Sequence, residues 1–182
     1  KVFTNGDMTK TGERWDVAIQ GDGFFEVRVA DGSPGFTRDG ALKVDSTGRI
    51  VTNDGLPLQG GCQPVPQGTT KVTIAPNGEV TTEGANGKQT FRIQLVRFAN
   101  PAGLEAVGHN RFKETDVSGT SEPGNPAENG YGELQQGYLE MSNVKVVEEM
   151  VNLIMAQRAY EVNSKAVQSA DEMMQMSNNL KR

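Results

Sequence analysis

Short runs in the first three quarters of the chain alternate apolar and polar residues. Trp15-Asp16-Val17-Ala18-Ile19-Gln20 does so, and so do Phe25-Glu26-Val27-Arg28-Val29, Lys71-Val72-Thr73-Ile74 and Phe91-Arg92-Ile93-Gln94-Leu95-Val96. A period of two buries one face of a strand and wets the other. Between the runs stand Asp31-Gly32, Asp39-Gly40, Asp54-Gly55, Asn77-Gly78 and Asn86-Gly87. Such dipeptides supply the positive φ angles of tight hairpin turns. Short strands with frequent turns predict an antiparallel β sandwich or partly closed barrel over residues 15–132. Residues 117–132 carry no periodicity and read as a long returning loop. A last strand is expected within 134–140. Residues 1–14 and 133–142 read as a segment connecting this domain to the C-terminal part of the chain.

The pattern then changes. From Asn143 to Leu180 there is neither Gly nor Pro, and the apolar spacing switches to three and four. One stripe runs Val144, Val147, Val151, Met155, Ala159, Val162, Ala166, Ala170, Met173 and Leu180. A second runs Val146, Met150, Leu153, Tyr160, Val167 and Met174. Each stripe keeps to one face of a helix. Ser142 or Asn143 is the expected N-cap, with Glu148 and Glu149 near the positive end of the dipole and Lys181 and Arg182 at the negative end. A helix of about 38 residues within the assembly segment 143–182 would reach about 57 Å at 1.5 Å per residue, far beyond the roughly 12 residues of an average globular helix. Together the stripes are wider than the a/d seam of a two-stranded coil. Such a helix needs neighbours on more than one side, and no second helical segment is visible in this chain. We therefore read it as an assembly element. Its clustered methionines, Met141, Met150, Met155, Met173, Met174 and Met176, suit a surface that must repack against different neighbours, with ordinary core filling in a helical bundle as the alternative.

Composition narrows the functional classes. The chain has 182 residues, 35% of them hydrophobic, with 18 basic and 23 acidic residues and a net charge of -5. No run of Lys or Arg could track a phosphate backbone, which argues against nucleic acid. No apolar stretch approaches the roughly 20 residues of a membrane span, so no membrane insertion is expected. The chain opens Lys1-Val2-Phe3-Thr4 with no apolar run behind it, so no secretory signal is read in these residues, and without a starting Met it reads as a fragment or a processed chain. A single cysteine, Cys62, rules out an intrachain disulfide and a Cys-rich zinc site.

Candidate chemistry is thin. His109 is the sole histidine, in the loop-like Gly108-His109-Asn110-Arg111, with no orienting carboxylate or nucleophile nearby in sequence. Cys62 has neither a basic neighbour nor a helix start to lower its pKa. Gly21-Asp22-Gly23 begins like a dinucleotide loop, but Glu26 stands where the third glycine belongs. Its glycines read better as a hairpin turn and Phe24 and Phe25 as core anchors. The scattered aspartates fall mostly in turns, where Asp bonds its own backbone, and a calcium-loop pattern is absent. No catalytic, cofactor or metal residue is assigned. An enzyme with a helical tail or a trimerising adhesin would be the competing classes.

Several motifs carry a resemblance. Gly21-Asp22-Gly23-Phe24-Phe25 resembles the Gly-x-Gly-Phe-Phe turn of bacterial flagellar rod and hook proteins, and Phe36-Thr37-Arg38-Asp39-Gly40 resembles their Thr-Arg-Asp-Gly hairpin. Phe98-Ala99-Asn100-Pro101-Ala102-Gly103-Leu104 and Gly108-His109-Asn110-Arg111-Phe112 match further on. Gln136-Gly137-Tyr138-Leu139-Glu140, Ser142-Asn143-Val144, Ala156-Gln157-Arg158-Ala159-Tyr160-Glu161 and Asn163-Ser164-Lys165 complete the match. The stretch Gly60-Gly61-Cys62 has no counterpart among these motifs.

The resemblance covers essentially the whole chain and sits nearest the distal-rod members, with a proximal rod or hook subunit as the alternative. It implies a non-enzymatic subunit of a hollow helical homopolymer, without cofactors. Terminal helices would line the inner layer and β domains would face outward. It further implies a drive shaft crossing the periplasm within the flagellar basal body. Its partners would be proximal rod proteins, the hook protein and the periplasmic and outer-membrane bushing rings. Export would use the flagellar channel, and an N-terminal helix would precede the residues present here. The residues expected at the assembly interface are Val147, Val151, Ile154, Met155, Ala159, Tyr160, Val162, Ala166 and Met173.

Overall fold

The computed structural model describes residues 6–85, 87–143 and 146–180. The expectations placed on Lys1-Val2-Phe3-Thr4, Asn86, Val144, Lys181 and Arg182 lie outside the described residues, as do the side chains of Val146, Val147, Glu148 and Leu180. The chain divides into two units, residues 1–143 and 144–182.

The first unit is built from short strands. In chain order they are β1 (Met8–Lys10), β2 (Val17–Gln20), β3 (Phe25–Arg28), β4 (Pro34–Thr37), β5 (Lys43–Val44), β6 (Ile50–Val51), β7 (Thr69–Ile74) and β8 (Glu79–Gly84). Next come β9 (Gly87–Arg92), β10 (Leu95–Arg97), β11 (Glu105–Gly108), β12 (Arg111–Lys113), β13 (Glu122–Gly124), β14 (Glu133–Gln136) and β15 (Tyr138–Glu140). They form small antiparallel sheets: β11-β12-β4-β3, β7-β8-β9, and the pairs β14-β2, β10-β13, β5-β6 and β1-β15. The mainly β architecture with one long C-terminal helix is as expected, and among the described residues the ladders do not close into a barrel.

Alternation buries what it was expected to bury. Val17, Ile19, Phe25, Val27, Ile74, Val80, Ile93, Leu95 and Leu134 meet in one cluster; Phe24, Phe36, Val96, Phe98 and Leu104 form another, with Phe112 packed against it. Successive side chains of an extended chain point to opposite faces. Phe24 and Phe25 therefore anchor different cores, and this one dipeptide fastens the two together. In the second core the rings meet edge to face, Phe36 on Phe98 at 4.8 Å and 83° and Phe24 on Phe98 at 5.8 Å and 71°, the arrangement favoured by ring quadrupoles.

Four local readings need correction. The run 91–96 is not one strand: β9 ends at Arg92 and β10 starts at Leu95. Between them Ile93 donates to the Gly78 carbonyl and Gln94 to that of Gly60, so the chain changes ladders mid-run. The stretch 117–132 holds a short strand, β13, paired with β10, and 134–140 is two strands broken at Gly137, whose φ is +76°. The Asp39-Gly40 turn does not use a positive φ. Its glycine is required for space, because a Cβ there would overlap the Val17 carbonyl.

The second unit is α1 (Val146–Leu180), 35 residues long, about 52 Å at 1.5 Å per residue. Its start at Val146 adjoins residues 144–145, outside the described set, so the expected caps Ser142 and Asn143 gain no cap geometry here.

Candidate functional site

Each unit holds one arrangement with functional potential. In the first it is built around Arg38. The corner Gly21-Asp22-Gly23 links β2 to β3, but these strands pair with β14 and β4, not with each other. Likewise Arg38-Asp39-Gly40 links β4 to β5, which lie in different sheets. Both motifs expected as hairpins are corners where the chain moves between sheets, and a corner lacks the ladder that fixes a hairpin.

Side-chain bonds fix them instead. Thr37, 2% exposed, donates its hydroxyl to the Asn110 carbonyl and accepts the Asp39 amide. The Asp39 carboxylate accepts the Ala41 amide at 3.0 Å, the self-bonding turn that Asp favours. The Gly40 carbonyl accepts the Val17 amide at 3.0 Å. At the other corner Gly21 and Gly23 adopt φ of +115° and +143°, and a Cβ on Gly21 would sit 2.9 Å from the Gly132 Cα.

Arg38 joins the corners. One terminal nitrogen of its guanidinium donates to the Gly21 and Gly23 carbonyls at 3.1 and 3.0 Å. The other donates to the Ile19 carbonyl at 3.2 Å and meets Glu140 Oε2 at 2.8 Å. Nε donates to the same Oε2 at 2.9 Å. Glu140 Oε1 accepts the Gly6 amide at 2.9 Å. The guanidinium also stands 5.9 Å from the centre of the Phe24 ring. The motif residues Gly21, Gly23, Phe24, Phe25, Thr37, Arg38, Asp39 and Gly40 thus fall in one neighbourhood, and Glu140 is the member that motif reading missed. The signal was present in Tyr138-Leu139-Glu140, but 102 residues separate Glu140 from Arg38.

In the second unit the apolar stripes lie open. Val151, Ile154, Met155, Val162 and Met173 are all about half exposed or more, and Tyr160 is 77% exposed. Ala159 and Ala166 are exposed as well, while the side chain of Val147 is outside the described ones. From Glu149 to Met176 every residue is exposed except Ala170, which is intermediate. A contiguous apolar surface this long is the mark of an interaction face. Among the described residues no helix is long and apolar enough to cross a membrane.

Of the residues weighed for catalysis, His109 borders the Arg38 corner, lining one small cavity with Thr37 and Asp39, while Cys62 takes no part in either arrangement. His109 and Asn110, with φ of 53° and 55°, form the two-residue tip of the β11-β12 hairpin, the geometry of a type I′ turn. Cys62 packs against the main core. Burial pushes its thiol up to about 12, the opposite of what a nucleophile needs.

Residues 18–82 match the family model described as the flagellar hook protein FlgE/F/G D1 domain, and residues 135–180 match the flagellar basal body rod FlgEFG protein C-terminal model. The flagellar basal-body rod protein FlgG of Borreliella burgdorferi is 45% identical across 100% of this chain and 70% of its own length. Bacillus subtilis supplies two relatives. Its basal-body rod protein FlgG is 40% identical across 100% of this chain and 70% of its own. Its flagellar hook-basal body complex protein FlhP is 31% identical across 99% and 70%. With similarity of this extent along the whole chain, both family models seated on the two units, and the corner motifs and open helix in place, the chain belongs to the flagellar basal-body rod family, as a structural subunit of the FlgG kind.

Proposed function

We propose that this chain is a non-enzymatic building block of the distal rod, polymerising into a hollow helical shaft that carries torque to the hook. The observation that carries this reading is α1: 35 residues with two open apolar stripes. Burying one large aliphatic side chain is worth about 1.5–3 kcal/mol, so a helix displaying many of them gains its stability on association. Residues 15–132 then serve as the outward-facing domain, 1–14 and 133–142 as its connection, and 143–182 as the inner assembly helix. Contacts are of one repeated heterologous kind, which generates a filament rather than a closed ring. Val147, Val151, Ile154, Met155, Ala159, Tyr160, Val162, Ala166 and Met173 form the interface.

Neighbours along the shaft are proximal rod proteins and the hook protein, and the surrounding rings are those of the periplasm and outer membrane. Export through the flagellar channel delivers the subunit. A hook or proximal-rod role is the second reading, because the matched family models span hook and rod proteins alike. The higher identity to FlgG relatives than to FlhP favours the distal rod.

The test is Val151→Asp combined with Ala159→Asp in the full-length protein, read by sedimentation and electron microscopy. Loss of all tubular polymer, with an unchanged melting temperature of the β unit, supports the reading. Wild-type yield of tubes from the double variant refutes it.

A further inference from the structure

We propose that the Arg38–Glu140 pair is a load-transfer joint, fastening to the β unit the strand from which the assembly helix departs; this rests on the rod reading above. The ribbon β1-β15 has three residue pairs, Met8 with Glu140, Thr9 with Leu139 and Lys10 with Tyr138. Neither strand contains a buried residue. A two-stranded ribbon of this length is marginal by itself, and its own side chains add no buried apolar packing. Yet β15 ends six residues before α1 begins, so any force arriving along the helix reaches this ribbon first.

The ribbon is held at both ends by polar bonds. At its root the Gly137 carbonyl accepts the amides of Thr11 and Gly12, and the Gly137 amide donates to the Asp16 carbonyl. At its far end stands Glu140. One carboxylate oxygen takes the Gly6 amide and the other takes Nε and a terminal nitrogen of Arg38. Arg38 in turn holds the carbonyls of Ile19, Gly21 and Gly23, where β2 turns the corner toward β3.

A guanidinium presents its N–H groups in a rigid planar fork. Here bonds leave Nε and both terminal nitrogens, so the whole fork is engaged. Charge-assisted bonds are shorter and stronger than neutral ones. Side-chain exposure at Arg38 and Glu140 is 17% and 12%, so water screens the pair less than a surface pair. Segments distant in sequence, at Gly6, residues 19–23, Arg38 and Glu140, are therefore fixed at one point.

Lysine could keep the charge but not the fork. Arg38→Lys in full-length protein is the decisive variant, read by hydrogen exchange and by swimming of a complemented strain at rising viscosity. The joint predicts tubes as in the wild type and at least tenfold faster exchange at Met8–Lys10 and Tyr138–Glu140. Exchange in β7, β8 and β9 should be unchanged, and the loss of swimming speed should grow with load. Wild-type ribbon exchange together with wild-type speed at high viscosity would overturn it. Should Arg38→Lys misfold, Glu140→Gln leaves the bonds from Arg38 to the backbone carbonyls in place, removes the charge on β15 and turns one of its two acceptor oxygens into an NH2 donor, with the same two readouts deciding. Failure of the wild type to polymerise would sink the rod reading instead, and the ribbon exchange would still report on the joint.

Discussion

Leu134 and Tyr160 are both large side chains in regular secondary structure, yet one is 2% exposed and the other 77%. The contrast runs through the molecule. In the β unit the alternating residues find partners within the chain, across sheets and across long sequence separations. In α1 the apolar residues recur just as regularly and stay open. Equal hydrophobic regularity thus has two meanings: a fold completed within one chain or, on the reading proposed above, a surface prepared for other copies.

That difference is open to mutation. Truncating Phe25, which is fully buried, should cost about 3–5 kcal/mol, whereas Met155→Ala, at a residue 56% exposed, should change monomer stability by less than about 0.5 kcal/mol. Chemical denaturation of the two variants measures both. Equal losses would erase the distinction between the units. Gly40→Ala sharpens the comparison within the β unit. The added Cβ meets the Val17 carbonyl, and a loss of roughly 1–3 kcal/mol is expected from forced backbone shifts; a neutral result would mean that the corner is free to open.

The smallest effect concerns Cys62. Burial raises its thiol from 9.0 to about 12, so the folded form holds its proton where the unfolded chain loses it. Stability linked to this group is intact below pH 9 and falls as pH rises from 9 to 12. At about pH 8, below the ordinary thiol range, alkylation of the native protein should be slow and should accelerate on unfolding, as mass spectrometry would detect. Rapid native labelling would show that the thiol is not packed against the core.

The helix and the alternating strands were legible because periodicity is local. Val17, Ile19, Phe25 and Val27 declare a buried face within a few residues. The corners were not legible. Asp39-Gly40 and Asp31-Gly32 look alike in sequence, but one needs space beside Val17 and the other needs a φ of +85°. Which of these applies depends on a strand elsewhere. The partnership of Arg38 with Glu140 was hidden for the same reason, since nothing near either residue names the other. Short strands such as β11, β12 and β13 carry too few residues to establish a period. Phe24 and Phe25 were recognisable as anchors, but only the fold assigns them to separate cores.

The central claim, that α1 is an assembly element and the β unit a finished one, is tested most directly by amide hydrogen exchange on monomer and polymer. The account predicts little protection across residues 149–176 in the monomer, protection rising by orders of magnitude in the polymer, and a β core equally protected in both. A helix already protected in the monomer, or unprotected in the polymer, would contradict it.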